Sequence, residues 1–339
     1  MESGAEYRAA RESSAVFDRS GRGKIAVAGN DRRTYLHAML TNDVASLQAG
    51  GGCYAAYLTP QGRMITDMRL LELGDLVLLD LDPSMTATVL QKLDQFVFSE
   101  DVKLGDLTEA FGELSVVGPA AARVVAEAIG ADSQPGVTES DLQGWEEFHN
   151  VRTTFRGQMV LVAASHETGA AGFDLYVERP HREALAGALV AAGATLAGGA
   201  TAEVLRVESG RPAFGIDMDA ETLPLEAGIE GRAISFTKGC YPGQEVVIRV
   251  LHRGHGRVAR KIAGVMVPGD TVPATGDLLR AGEREAGRIT SAVWSPMTGG
   301  PIALALVHRD FLAPGTELTI LHGDHALSST VVTLPFEPR

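Results

Sequence analysis

A chain of 339 residues exceeds what one hydrophobic core usually organises, so two or three domains are expected. Apolar residues at 45% and charged residues at 22% suit a packed globular protein and exclude a disordered one. With 30 Lys and Arg against 43 Asp and Glu, the formal charge of −13 repels a phosphate backbone and argues against generic nucleic-acid binding.

The stretch from Met1 to Asn30 lacks the apolar run of a signal peptide, and nowhere do about 18 uncharged apolar residues fall together; a cytoplasmic protein without a membrane span is expected. Lys24 to Ala28 reads as a strand. Asn30 or Asp31 can cap the helix that follows, whose Leu36, Met39 and Leu40 fall on one face. Cys53 to Leu58 and Met64 to Leu73 are strand-like runs joined by Thr59-Pro60-Gln61-Gly62, and Gly74-Asp75 turns the chain into Leu76 to Leu81, an antiparallel meander. Asp82-Pro83 offers an N-cap and a first-turn proline to a helix carrying Met85, Val89, Leu93 and Phe96, which packs on that meander.

A second round follows: Leu114 to Val117 as a strand, Ala121 to Ile129 as a helix, Met159 to Ala163 and Phe173 to Val177 as strands, and Arg182 to Ala192 as a helix. This alternation predicts two mixed sheet-and-helix lobes. From residue 258 the texture changes to short β-type runs, Ile262 to Val267, Gly287 to Trp294, Ile302 to Val307, Glu317 to Leu321 and Ser328 to Leu334. Turn residues separate them, as in a small barrel or sandwich. Just before lies a basic spot, His252-Arg253-Gly254-His255-Gly256-Arg257 with Arg260 and Lys261. Without interleaved aromatic residues for base stacking, it reads as a structural loop or a contact for a ligand carboxylate.

Two cysteines, Cys53 and Cys240, make neither a disulfide framework nor, alone, a tetrahedral zinc site. Cys53 sits in an apolar run and reads as core. Cys240 follows Lys238 and lies between Gly239 and Gly243; a neighbouring cation lowers a thiol's pKa, so it is either an activated thiolate or a small buried hydrophobe in a turn. Glu208, in Arg206-Val207-Glu208-Ser209-Gly210-Arg211, either accepts paired hydrogen bonds from a flat amino-heterocycle or makes a surface ion pair with Arg206 or Arg211. Asp67, in a strand after the Gly62 turn, faces a cleft or solvent. Neither a phosphate-binding P-loop nor a dinucleotide glycine fingerprint occurs, and the nine histidines show no metal-ligand spacing, so no metal site is expected.

The octapeptide Lys238-Gly239-Cys240-Tyr241-Pro242-Gly243-Gln244-Glu245, with Arg249 four residues on, is the most specific string in the chain. Ahead of it, in order, stand Phe17-Asp18-Arg19-Ser20, Leu40-Thr41-Asn42-Asp43-Val44, Leu58-Thr59-Pro60-Gln61-Gly62-Arg63, Glu208-Ser209-Gly210 and Pro224-Leu225-Glu226-Ala227-Gly228. Together they resemble the YgfZ-type folate-binding proteins, a cysteine-bearing branch of the glycine-cleavage T-protein superfamily. The resemblance implies an α+β class with two tandem ferredoxin-like folate-binding lobes over residues 1–257 and a C-terminal antiparallel β-barrel domain over 258–339.

It also implies tetrahydrofolate or a one-carbon derivative as cofactor. By position, Glu208 becomes the pterin-binding carboxylate, Asn42, Leu58 and Asp67 lie near the folate channel, and Lys238, Cys240, Tyr241, Gln244, Glu245 and Arg249 form the signature at its mouth. Members of the superfamily that act in glycine cleavage carry paired aspartates where this chain has Thr66-Asp67, and lack the signature cysteine. Both departures argue against aminomethyl transfer in glycine cleavage. The function expected from the resemblance is therefore a folate-binding accessory protein for iron–sulfur cluster synthesis or repair, with cluster client or assembly proteins as partners and Cys240 and Lys238 as the chemical groups. Two cysteines fall short of the four thiolates a cluster usually takes. The alternatives are a folate-dependent aminomethyltransferase or other one-carbon transferase, and a folate scaffold in which Cys240 is only structural.

Overall fold

The structure is a computed structural model that describes residues 2–130, 133–253 and 257–338. The chain divides into two discontinuous compact units, one of Met1–Tyr57, Thr66–Thr201 and Ala233–Pro242, the other of Leu58–Ile65, Ala202–Arg232 and Gly243–Arg339.

The chain begins with α1 (Glu2–Glu12), β1 (Ala15–Asp18), β2 (Gly23–Ala28), α2 (Arg32–Met39), β3 (Gly52–Leu58), β4 (Met64–Glu72) and β5 (Leu76–Leu81). Asp82 accepts from Ser84 N as expected of a cap, but the turn it starts, Pro83–Met85, is 3-10; α3 follows at Thr86–Asp94, then β6 (Lys103–Asp106) and β7 (Phe111–Val117). Next come α4 (Ala121–Ile129), α5 (Glu139–Gln143), β8 (Asn150–Phe155), β9 (Gln158–Ser165), β10 (Gly172–Glu178), α6 (Arg182–Ala191), β11 (Thr195–Ala197) and α7 (Gly199–Glu208).

Strands β3-β4-β5-β2-β6 form one sheet and β11-β1-β7-β10-β9-β8 another. The lobes are therefore interleaved. Strand β1, from the N-terminus, pairs antiparallel with β7 and parallel with β11, deep in the sheet built otherwise from later sequence. Sequence patterning predicted neither β1 nor β11, because runs of four and three residues carry too few alternations to register. Amphipathic α4 and α6 cover one face of the six-stranded sheet, burying Val124, Val125, Leu185 and Leu189 against Val16, Leu114, Val162 and Leu175. Its other face meets the five-stranded sheet: Leu71 and Leu78 pack on Leu161, Ala163 and Tyr176.

The second unit holds α8 (Pro224–Ala227), α9 up to Arg232 (Glu230–Ala233), α10 (Gln244–Arg253) and the strands β12 (Arg260–Met266), β13 (Leu278–Ala281), β14 (Arg284–Ser295), β15 (Gly300–His308), β16 (Glu317–His322) and β17 (His325–Val332). Strand β12 pairs with both β15 and β17, which closes an antiparallel barrel in the order β12-β15-β14-β13-β16-β17. Val265, Ile289, Ala303, Ala305, Ile320 and Val331 fill it. Five of its six strands are those predicted; β13, only four residues long, is the addition. The expected α+β class with a C-terminal antiparallel barrel is the fold the chain adopts. No helix among the described residues is long and apolar enough to cross a membrane.

Candidate functional site

In the first unit, the loop after α2 and the strands β3 and β4 bring together Asn42, Tyr54 and Asp67. The Asn42 amide donates to Tyr54 O at 2.8 Å and its Oδ1 accepts from Asp43 N at 2.8 Å, so the side chain is oriented from both ends. The buried Tyr54 hydroxyl donates to Asp67 Oδ2 at 2.6 Å. Burial pushes the Asp67 carboxyl above the usual carboxylate range, against the opposing pull of the Tyr54 bond and the Arg22 charge. Asp67 thus lies in a partly enclosed, hydrogen-bonded place and not on an open strand face. Thr66, pointing to the opposite side of β4, is fully buried.

Lys238 and Tyr241 are anchored in the same unit, and Cys240 is not. The Lys238 ammonium donates to the carbonyl oxygens of His37 and Leu40 at the C-terminal end of α2, where the helix dipole favours a cation. It also lies 4.9 Å from the centre of the Tyr241 ring, which is buried. Thr41 extends the attachment: its Oγ1 donates to Ala233 O at 2.6 Å and its O accepts from Ser235 N at 3.0 Å. Burial lowers Lys238 to about 8, with Asp43 and Cys53 acting the other way. The cation expected beside Cys240 is spent on α2, and its charge is felt by the half-buried Cys53, whose thiol burial pushes up to about 12. Cys240 itself is exposed between two fixed neighbours. Phe236, half exposed, precedes them in the same segment.

In the second unit, α7 ends in Glu208, 1% exposed, whose Oε1 accepts from Ser295 Oγ at 2.6 Å on the barrel strand β14. Burial takes Glu208 off the surface, and Arg206 pairs with Glu203 at 2.6 Å and with Asp217 at 2.6 Å. Leu58 is buried. The second glycine of the signature has a steric task. Gly243, at φ +83°, would place a Cβ 2.5 Å from Thr59 O, and Gly62, at φ +77°, one 2.9 Å from Val246 Cβ, so the 59–62 turn and the start of α10 meet backbone to backbone. That contact orients α10, from which Glu245 and Arg249 project into solvent and Gln244 is half-buried.

Sequence reasoning missed a charged cluster buried between the two sheets of the first unit. Arg69 on β4 donates to Glu113 at 3.0 Å, to Ser165 Oγ at 3.3 Å, and to Asp80 and Asp174; Tyr176 donates to Asp80 at 2.7 Å, and Lys24 lies 3.4 Å from Glu113. A signal existed: the two-residue turn at Gly74-Asp75 fixes a register that sets Arg69 opposite Asp80, on the face that carries Leu71 and Leu78. Arg22 and Arg69 hold Asp80 below the carboxylate range although burial opposes them, whereas burial and the neighbouring Asp80 raise Glu113.

Two interleaved α+β sheets with a closed six-stranded antiparallel barrel make up the T-protein fold. Residues 2–238 match the GCVT N-terminal domain and residues 260–337 the glycine cleavage T-protein C-terminal barrel domain. The chain belongs to the glycine cleavage T-protein family. It is 30% identical over 342 residues to an aminomethyltransferase of Streptomyces coelicolor, covering 98% of this chain and 89% of that one. It is likewise 30% identical over 337 residues to an aminomethyltransferase of Rubrobacter xylanophilus, covering 99% and 86%. The crystal structure of the glycine cleavage system aminomethyltransferase T from Bartonella henselae superposes with a TM-score of 0.86 over 98% of this chain and 88% of that chain, at 22% identity, which concerns the fold alone.

Proposed function

We propose that this protein binds tetrahydrofolate and acts as a one-carbon transferase of the aminomethyltransferase type, with Asp67 as its proton-handling group. The relatives named above support the transferase alternative over the iron–sulfur expectation. The observation that carries the reading is the Tyr54–Asp67 pair. A carboxyl raised by burial exchanges its proton closer to neutral pH than an exposed one, as acid–base work requires, and the tyrosine fixes its orientation.

Each unit by itself offers a carboxyl of the kind a folate engages. Asp67 supplies an oriented carboxyl in the first unit, and Glu208 supplies a buried carboxylate in the second, suited to paired N–H donors of an aminopterin. Tetrahydrofolate, when bound, would supply the secondary-amine nitrogen that accepts the one-carbon unit. Asp67 in its ionised form would take up the proton that this nitrogen loses, with the carboxylate oriented by the Tyr54 hydroxyl that donates to Oδ2. Asn42, fixed through Tyr54 O and Asp43 N, holds the loop that borders them. The test is folate-dependent ammonia release from an aminomethyl-loaded lipoyl carrier. Turnover by the wild type that Asp67→Asn abolishes while folate affinity persists supports the assignment, and a wild type without turnover removes it.

A second reading rests on Cys240, exposed in the sequence that aligns this chain with the YgfZ-type branch. There the protein serves iron–sulfur enzymes, and the thiol is its working group. In a deletion strain, wild-type rescue of cluster-enzyme activity that Cys240→Ser cannot match at equal abundance supports it. Full rescue by Cys240→Ser leaves the transferase reading.

A further inference from the structure

A solvent-open cleft of about 520 Å³ in the barrel-containing unit is lined by Arg257, Val258, Lys261, Arg309, Asp310 and Leu312. Three cations around one cleft run against a chain whose formal charge is −13. The barrel sets the backbones of two of them. Lys261 on β12 pairs in register with Val307 on β15, and Arg309, in the single 3-10 turn after β15, donates its N–H to Ala259 O at 3.0 Å. Part of the charge is already neutralised: Lys261 meets Glu230 at 2.8 Å, and Asp310 is taken by Arg284 at 2.9 Å. Arg309 Nε reaches Asp310 only at 4.0 Å, and among the described residues Arg257 meets no carboxylate. Two guanidinium groups are therefore left to a ligand, beside an apolar wall of Val258 and Leu312.

A guanidinium fork matches a carboxylate through two parallel hydrogen bonds, and an apolar wall suits the methylenes between successive carboxylates. Among the described residues no aromatic side chain lines the cleft for base stacking, which disfavours a nucleic acid. We infer that this cleft is a binding site for an oligocarboxylate chain of the glutamyl kind, held by Arg257 and Arg309. The site lies within the barrel-containing unit and goes beyond the one-carbon reading. Such chemistry has two sources, the γ-linked glutamyl tail of a folate and an acidic peptide segment.

Calorimetry of the full chain at low ionic strength, with γ-linked pentaglutamate and α-linked pentaglutamate as probes, tests the site without any pterin. Binding is expected to weaken roughly tenfold in Arg257→Gln or Arg309→Gln and to fade with added salt, while Arg123→Gln on the surface of α4 leaves it unchanged. Tighter binding of the γ-linked probe assigns the cleft to a folate tail, and tighter binding of the α-linked probe to an acidic peptide. Absence of binding by both, retention of full affinity in the Arg257→Gln/Arg309→Gln double variant, or equal affinity for inorganic phosphate overturns the inference. Because the probes lack the pterin, loss of the one-carbon reading would leave this result standing.

Discussion

The Tyr54 hydroxyl donates to Asp67 Oδ2 at 2.6 Å between neighbouring strands β3 and β4. The bond draws Asp67 down while burial raises it, and burial prevails. Tyr54→Phe is expected to raise the carboxyl further and shift the acidic limb of the pH–rate profile upward, which a kcat/KM profile reads. Asp67→Asn is expected to lower turnover by about 100-fold or more, the usual worth of a positioned acid–base group.

The same carboxyl makes a stability prediction with a definite sign. Its folded pKa lies above its unfolded one, so the stability it contributes is present at low pH and lost as pH rises through the folded value. Asp67→Asn removes that loss. Thermal unfolding of the variant is expected to match wild type near pH 4 and to exceed it near pH 8; a variant less stable at the higher pH contradicts the assignment.

For Glu208, Gln replaces one acceptor oxygen by a donor and removes the charge. Folate affinity is expected to fall by about 1.5–3 kcal/mol, measured by calorimetry, with the fold kept. Ser295→Ala, which takes the donor from the buried Oε1, is expected to cost about 1–3 kcal/mol of stability in denaturant unfolding.

Arg69 compensates three buried carboxylates, Asp80, Glu113 and Asp174. Arg69→Met keeps the volume but strands them, and a loss of about 3–5 kcal/mol is expected in urea unfolding. Glu113 is raised, so its contribution is present in acid and declines with rising pH; Glu113→Gln is expected to gain on wild type as pH increases.

Lys238 titrates near 8, well below the ordinary value of about 10.4. With a folded pKa below the unfolded one, its burial costs stability at neutral pH and costs less as pH climbs through that interval. In protein carrying labelled lysine ε-carbons, one resonance is expected to move near pH 8 and to vanish in Lys238→Met. Alkylation at the same pH is expected to modify the exposed Cys240 rapidly and Cys53 slowly, since the Cys53 thiol stays protonated up to about 12.

Local pattern sufficed for much of this protein. The alternation in β3, β4 and β5, the turns that join them, the amphipathic α4 and five of the barrel's strands are short-range facts, because each is a repeat of burial along contiguous residues. The ordered motifs were equally legible, since Gly62 and Gly243 are demanded by backbone conformation and close approach at their own positions. Tertiary structure alone decided where charge ended up. Lys238 stands two residues from Cys240 in sequence, yet its ammonium serves carbonyls of α2 some 200 residues earlier in the chain, at His37 and Leu40. In sequence Glu208 stands as well placed for a surface ion pair with Arg206 or Arg211 as for a ligand, and only the barrel strand carrying Ser295 shows it buried. Electrostatic partners outside a single hairpin, unlike Arg69 and Asp80 across the Gly74-Asp75 turn, are chosen by distance and desolvation, neither of which is periodic in sequence, so no local pattern assigns them.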